Sequence, residues 1–93
     1  MKQIIAGKLY DSEKAELVLE FSRPIEMSNM FGTYTDLGAG QLYQTKKGAW
    51  FEIIGQGTNG EQFNVITEKK AKELIGITDP DLYLKIFDGV QEA

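Results

Sequence analysis

The sequence contains no cysteine and no histidine, and these two absences exclude several kinds of chemistry. Without cysteine, the chain has no disulfide bonds, no thiolate nucleophile and no cysteine-ligated zinc site. Without histidine, it lacks the most common general base and the most common transition-metal ligand. Small secreted domains often depend on disulfide bonds, so the missing cysteines favour the cytoplasm as the compartment of this protein.

Long apolar runs and an excess of basic charge are also missing. No run approaches the roughly 20 apolar residues of a membrane-spanning helix, and the apolar run near the N-terminus is too short for a signal peptide. The 14 acidic residues outnumber the 10 basic ones, which gives a net charge of −4. Proteins that bind nucleic acids generally carry a basic surface, so this charge argues against direct nucleic-acid binding. Binding to a membrane is not expected either, because the predicted helices are short, begin with acidic residues and carry no basic enrichment apart from Lys69, Lys70 and Lys72.

The length and composition are those of one globular domain, which we assign to residues 1–93. Hydrophobic residues make up 42% of the chain and aromatic residues 11%, which excludes a disordered protein. A chain of this size buries only about 60–65% of its unfolded surface. The core is therefore small, and a partner protein or a homodimer is one way to complete it.

The N-terminal quarter of the chain is predicted to be mainly β-structure. Residues 2–10 predict a short strand, with Gly7 as a turn or a bulge. Residues 12–15 favour a helical turn that leads into a strand at 16–22. In that strand, alternation places Leu17, Leu19 and Phe21 inward. The same apolar stretch also fits one side of a helix, and this alternative stays open.

Residues 22–40 mix turn-forming residues with apolar ones. Proline and three glycines interrupt the segment, but its apolar residues are too many for a linker: Ile25, Met27, Met30, Phe31 and Tyr34. One interpretation is a lid that packs over the sheet and completes a small core. The other is an exposed contact surface, a role that suits methionine and aromatic side chains because they adapt and supply large contact areas.

The clearest hairpin signal lies at residues 41–54, where Lys46-Lys47-Gly48 separates two β-prone runs. A three-residue connection with glycine at positive φ is a common hairpin solution. On the second strand, bulky residues occupy both faces, which predicts a central strand. One face carries Trp50, Glu52 and Ile54, and the other carries Ala49, Phe51 and Ile53. If helices cover the face of Trp50, it belongs to the core; if nothing covers that face, Trp50 is a candidate for binding a partner.

The remaining residues predict a turn, a strand and two helices. Asn59-Gly60 is a typical tight-turn pair, and residues 63–66 form the next strand. A first helix is capped by Thr67 and ends at Gly76, and a second begins at Asp79-Pro80 and ends at Gly89. The sequence therefore predicts an α+β fold: an antiparallel β-sheet, a meander of hairpins, with two short C-terminal helices.

No pattern in the chain predicts an enzyme, a metal site or a cofactor. The glycines between positions 55 and 60 match G-x-G-x-x-G, but they lead into a predicted strand and not into a helix. Helix capping explains both acidic residues of Asp79-Pro80-Asp81. The serines have no histidine to activate them. We therefore expect a protein that is not an enzyme and that uses no cofactor.

Three kinds of binding stay open. A protein partner would contact an acidic edge and the apolar segment, that is, Asp11, Glu13, Glu16, Glu20, Met27, Met30, Phe31, Tyr34 and Trp50. A module that sequesters a small molecule or nucleotide would use the glycine turn 55–60 beside Trp50 and Tyr43. A single-stranded nucleic acid would stack on Tyr43 and Trp50 and contact Lys46 and Lys47.

Four stretches of the chain resemble segments of small proteins from Firmicutes genomes, prophages and mobile elements. "GKLYDSEKAEL" resembles a G-K-x-Y-D-T-x-x-A opening, and "LYQTKKGAWFEIIGQG" resembles an L-Y-x-T-x-x-G-x-[WY]-F hairpin with a glycine-rich turn. "ITEKKAKELI" and "LYLKIFDG" resemble the two closing helices. The chain departs from this pattern at Ser12 (threonine expected), at Leu74 (tryptophan expected) and at the inserted Asp88.

Proteins of this size, acidity and genomic setting include anti-CRISPR proteins and other inhibitors of bacterial defence. The resemblance implies a non-enzymatic inhibitor that binds a host protein, with a CRISPR effector nuclease as the leading candidate. It further implies action in the host-cell cytoplasm, by occlusion of a basic nucleic-acid channel or of a hinge. It brings no catalytic residue to this chain.

Overall fold

The computed structural model describes all 93 residues, which form six strands and two helices. In chain order these are β1 Lys2–Ile5, β2 Lys8–Asp11, β3 Glu16–Asn29, β4 Gly32–Gln44, β5 Trp50–Ile54, β6 Gln62–Ile66, α1 Glu68–Thr78 and α2 Pro80–Ile86. Every strand pair is antiparallel: β1 and β2 form a two-stranded sheet, and β3 to β6 form a four-stranded meander in chain order. The α+β prediction is confirmed. Neither helix has the length and apolarity needed to cross a membrane.

The first predicted strand is in fact a hairpin of two strands, β1 and β2. Ala6 and Gly7 form its turn, both with positive φ (52° and 74°), as two-residue hairpin turns require. A further turn follows β2, in which the Ala15 amide donates to the Asp11 carbonyl at 2.9 Å. The chain then enters β3, so the predicted turn and strand are correct and the helical alternative is excluded.

A bulge in β3 changes which of its side chains point inward. The pairing with β4 shifts between Leu17 and Leu19, which leaves Val18 as the extra residue. Leu19 is buried and Phe21 is half-buried on the side that the helices cover, but Leu17 is exposed on the opposite side. The predicted inward position of Leu17 is therefore wrong, because the bulge resets the alternation of the strand.

The predicted central hairpin is confirmed in its details. The Thr45 amide donates to the Ala49 carbonyl at 2.8 Å and closes a three-residue loop at 46–48. Gly48 has a φ of 91°, the conformation that its place in this loop requires. Strand β5 follows, and all five of its residues are buried. It is the central strand of the core, covered on both faces.

Each face of β5 packs against a different layer. On one side, α1 and α2 cover a cluster made of Leu19, Leu42, Trp50, Ala71 and Ile75. On the other side, Tyr10 of the β1–β2 hairpin packs against Phe51 and Ile53. Trp50 is only 4% exposed, and it also lies near Phe87, with ring centroids 6.5 Å apart. Helices cover the face of Trp50, so this residue belongs to the core.

The helices begin where the sequence predicts and end elsewhere. The hydroxyl of Thr67 accepts from the Lys70 amide and the carboxylate of Asp79 accepts from the Leu82 amide, which caps α1 and α2. Helix α1 continues through Gly76 because the Asp79 amide donates to the Ile75 carbonyl. Helix α2 ends at Ile86, since Phe87 is extended, and does not reach Gly89.

Residues 22–40 do not form a lid. They continue β3 and β4 into a long hairpin that is paired as far as Asn29 and Gly32, whereas β5 pairs with β4 only at residues 40–44. We call the projecting residues 24–37 the arm. The molecule measures 50 × 35 × 19 Å, and its radius of gyration of 14.9 Å exceeds the roughly 12 Å expected of a compact chain of this length.

Two leucines of the same strand, β4, test this division between core and arm. Leu42→Ala should lower the free energy of unfolding by about 2–5 kcal/mol, because Leu42 is fully buried between the sheet and α1. Leu37→Ala, at an exposed arm position, should change it by less than about 0.5 kcal/mol. Urea unfolding followed by Trp50 fluorescence measures both. Equal losses in the two variants would contradict the assignment of the arm.

Candidate functional site

The tip of the arm displays two large apolar side chains to solvent. Met30 and Phe31 form the two-residue loop between β3 and β4, and they are 89% and 90% exposed. Polar residues and glycine normally occupy such loops. Here the neighbouring residues meet the needs of the turn: the Asn29 carboxamide oxygen accepts from the Phe31 amide at 2.8 Å, and Gly32 has a φ of 123°. The apolar pair is therefore not needed to form the turn.

The apolar surface continues along both sides of the arm. Tyr34 pairs with Met27 on the side that faces the helix layer, and Tyr34 is exposed while Met27 is half-buried. Leu37 pairs with Pro24 on the opposite side, and both are exposed. The structure thus brings the predicted contact residues of this segment, Met27, Met30, Phe31 and Tyr34, onto one projecting hairpin.

The loop at residues 55–61 clamps the arm. The side-chain amide of Asn59 donates to the Ser28 carbonyl, and its oxygen accepts from the Ser28 amide at 3.2 Å. Asn59 therefore satisfies both backbone groups of one residue in β3, which is the edge strand. As predicted, Asn59 and Gly60 form a tight turn, in which the Glu61 amide donates to the Thr58 carbonyl at 3.3 Å. The contact of this turn with a strand far away in sequence was not predicted.

The same loop fits the arm closely because of its glycines. A Cβ atom at Gly60 would lie 2.7 Å from the Glu26 carbonyl oxygen, and one at Gly55 would lie 2.8 Å from Cδ1 of Ile25. Within the loop, the Thr58 hydroxyl donates to the Gly55 carbonyl at 2.6 Å. Ile25 is 2% exposed beneath this loop. Gly55 and Gly60 therefore permit close packing of the loop on the arm.

An ion pair between a buried carboxylate and a partly exposed guanidinium joins the base of the arm to the central strand. Two nitrogens of the Arg23 guanidinium donate to the two carboxylate oxygens of Glu52, at 2.7 and 3.1 Å. Asn64 of β6 donates to the same carboxylate at 3.3 Å. Strand β4 lies between these partners, and its residues on this side are Gly38 and Gly40. Arg23 crosses β4 and reaches Glu52, and the side chains that lie over these glycines are the neighbours of Arg23 on β3.

The predicted acidic edge does not form one surface. Asp11 is buried, and its carboxylate accepts from the Glu13 amide at 3.0 Å. Glu16 and Glu20 are exposed, but the register of β3 with β4 places them on opposite sides of the sheet. Asp11 and Trp50 are therefore corrected from contact residues to buried ones, and Glu13, Glu16 and Glu20 remain exposed but separate.

The residues proposed for the two alternative ligands are also not brought together. Trp50 and Tyr43 lie on opposite sides of the sheet, and the Tyr43 ring stacks on Phe51 at a centroid distance of 5.1 Å. They cannot form a common stacking surface for a nucleic acid. The glycine loop packs on Ile25 and Glu26 of the arm, and it does not form a pocket with Trp50 and Tyr43.

A second site was only partly predicted from the sequence, which indicated Lys46 and Lys47 as phosphate contacts but not Lys8 and Lys14. A cleft lies between the β1–β2 hairpin and the 45–49 turn, and four lysines line it: Lys8, Lys14, Lys46 and Lys47. The available signal was that each of these lysines lies in or next to a turn. Their sequence separation hides the fact that three turns meet at one end of the sheet.

Comparison with known proteins adds nothing to this geometry, because no protein family, curated protein or solved structure matches the chain. The structure contains no group of three or more acidic, histidine or cysteine side chains placed to hold a metal ion. The candidate functional site is therefore the apolar tip of the arm, with the contacts that hold the arm in place.

Replacing Asn59 should loosen the clamp on the arm. Asn59→Ala removes both hydrogen bonds to Ser28. A loss of about 1–2 kcal/mol of local stability should speed hydrogen exchange at the Ser28 amide by roughly 5- to 30-fold. Gln56→Ala is the matched control, because Gln56 is exposed in the same loop. Unchanged exchange in Asn59→Ala, measured by NMR, would contradict the proposed role of this side chain.

Proposed function

We propose that this protein binds another protein through the tip of its arm, with Met30 and Phe31 entering an apolar pocket of the partner. The observation that carries this proposal is the exposure of both side chains, about nine-tenths of each, at the end of a projecting hairpin. Single exposed apolar residues are common in proteins, but here two adjacent ones share the tip of a hairpin and neither contributes to the core. Aromatic residues and methionine are enriched at protein interfaces.

The clamp and the ion pair support the proposal because they hold the arm before any partner binds. Ordering a flexible loop on binding costs free energy, and an element that is already ordered avoids this cost. Asn59 holds the outer edge of β3, and the Arg23–Glu52 pair holds its base. The tip is therefore held in one position, as expected of a hairpin that inserts into a pocket of its partner.

The charge of the arm indicates what kind of partner surface fits it. Between residues 24 and 37 the arm carries Glu26 and Asp36 and no basic residue, and Glu20 extends the same charge along β3. Electrostatic complementarity then favours a partner with a basic surface around an apolar pocket. Nucleic-acid channels of nucleases are basic, so an arm of this charge can enter one and block it.

We further propose that the protein is a non-enzymatic inhibitor encoded by a phage or another mobile element. It acts without a cofactor in the cytoplasm of the host cell, on a defence protein such as a CRISPR effector nuclease. The resemblance of the hairpin and helix segments to small prophage proteins favours this setting. The mechanism is steric: the acidic arm occupies the channel that the nucleic acid needs.

A cleavage assay with purified CRISPR effector nucleases tests this proposal. The wild-type protein should inhibit DNA cleavage by at least one effector, and Met30→Ser/Phe31→Ser should lose most of this inhibition. Both positions are exposed, so the double variant should keep its stability within about 0.5 kcal/mol per site. The matched control is Ile77→Ser/Leu84→Ser, which removes two exposed apolar side chains from the helices.

Two results would contradict the proposal at different levels. Equal inhibition by wild type and the tip variant would show that the arm is not the contact. Failure to inhibit any effector, together with failure to protect phage in a plaque assay, would exclude a role of this protein as an inhibitor of host defence.

A further inference from the structure

We propose that the cleft between the β1–β2 hairpin and the 45–49 turn binds a small ligand that carries two or more adjacent phosphate groups. The cleft has a volume of about 500 Å³, within the range of roughly 300–1,000 Å³ that is typical of small-molecule sites. Lys8, Lys14, Lys46 and Lys47 surround it, and apolar lining comes from Leu9, Tyr10, Ala15 and Ala49.

The concentration of positive charge is the first argument. The chain has 10 basic residues and a net charge of −4, yet four of its lysines line this one cleft. The ion pairs of the protein are Arg23–Glu52 and Lys72–Glu68, so no carboxylate pairs with any of the four. Four unpaired ammonium groups around one cleft repel each other, and a bound polyanion would relieve this repulsion.

The one acidic residue that lines the cleft does not neutralise these lysines. Asp11 is 5% exposed, and its carboxylate is turned into its own turn, where it accepts from the Glu13 amide at 3.0 Å. The same turn brings Lys14 to the cleft, and the Ala6-Gly7 turn brings Lys8. Two tight turns and the 46–48 loop thus place four cations on short, defined segments.

The chemistry of the lining selects a phosphate ligand. Lysine binds phosphate as a point charge, without the fixed geometry that arginine imposes on a carboxylate. The apolar part of the lining offers a surface for a sugar or base next to the phosphates. A nucleoside polyphosphate combines these two parts, and inorganic polyphosphate has the charged part alone.

A nucleic-acid strand fits the cleft less well than a small ligand does. Binding of single strands uses exposed aromatic rings on which bases stack. Tyr10 is buried against Phe51 and Phe63, and Tyr43 is stacked on Phe51. The cleft therefore offers charge and volume but no exposed stacking platform.

The cleft is independent of the arm. Strand β4 begins at the arm tip, at Gly32, and ends at Gln44, next to the 45–49 turn. The tip and the cleft consequently lie at opposite ends of the same hairpin strand. A ligand in the cleft does not compete for the tip, so the outcome of a ligand titration does not depend on the proposed protein partner.

Isothermal titration with ATP and with inorganic tripolyphosphate at low salt tests the proposal. Wild-type protein should bind at least one of the two probes, and Lys46→Gln/Lys47→Gln should weaken this binding by at least about tenfold. The control is Lys69→Gln/Lys70→Gln, which makes the same change in net charge on α1, on the other side of the sheet. It should leave the affinity within about twofold, since it removes only distant, screened charges.

The two probes also distinguish the source of the phosphates. Tighter binding of ATP supports a nucleotide, and equal or tighter binding of tripolyphosphate supports an inorganic polyphosphate. In both cases the amide resonances of Gly7, Thr45 and Gly48 should shift on titration, because these residues line or border the cleft.

Three outcomes would overturn the proposal. The first is that neither probe binds. The second is an equal loss of affinity in the α1 control, which would show a general charge effect without a site. The third is binding of a short oligothymidylate at least about tenfold more tightly than either probe, which would replace the small ligand with a nucleic-acid strand.

Discussion

The ion pair between Arg23 and Glu52 is the contact that connects the two parts of this protein. Glu52 lies in the middle of β5, where every neighbouring position is buried, and a carboxylate in such surroundings needs a partner. Asn64 supplies one hydrogen bond, and the nearest cation is Arg23, two strands away. The Arg23 side chain is 39% exposed, so the pair itself adds little net stability, but the loss of Arg23 would leave the buried carboxylate without its cation, which is costly. The pair therefore specifies the position of β3 more than it strengthens the fold.

Close packing of the β3 side chains on either side of Arg23 explains the glycines in β4. A side chain at Gly38 or Gly40 would meet Ile25 or Phe21, with a Cβ only 2.7 Å from Cδ1 of Ile25 in the first case. The Phe21 ring covers Gly40 and lies 5.1 Å from the Arg23 guanidinium. Glycine in a strand normally weakens it, and it is found where another group approaches the backbone closely. Here the approaching groups belong to β3 and anchor the arm.

Local patterns predicted the parts of the fold that local interactions decide. Gly48 and its two lysines predicted the hairpin, the two apolar faces of residues 50–54 predicted a central strand, and Thr67 and Asp79 predicted the helix starts. Each of these features depends on neighbours in sequence.

Long-range packing decided the features that were predicted wrongly or missed. Gly38 and Gly40 resemble turn residues, but they lie within a strand, and Pro24 is tolerated because β3 is an edge strand. Asn59 acts on a residue 31 positions away. The lysine cleft is formed by three turns that only the tertiary structure brings together. The exposed tip was one of two interpretations of its segment, and only the strand pairing separates them.

Backbone ¹⁵N relaxation of the free protein shows whether the arm is rigid and presents its apolar tip before any partner binds. A rigid arm should give order parameters of about 0.85 for its strand residues, the value typical of a rigid backbone and expected also for β5. Lower values should be confined to Met30 and Phe31 in the loop. Order parameters below about 0.6 throughout residues 24–37 would show instead that the arm is a flexible segment without a fixed position for its tip.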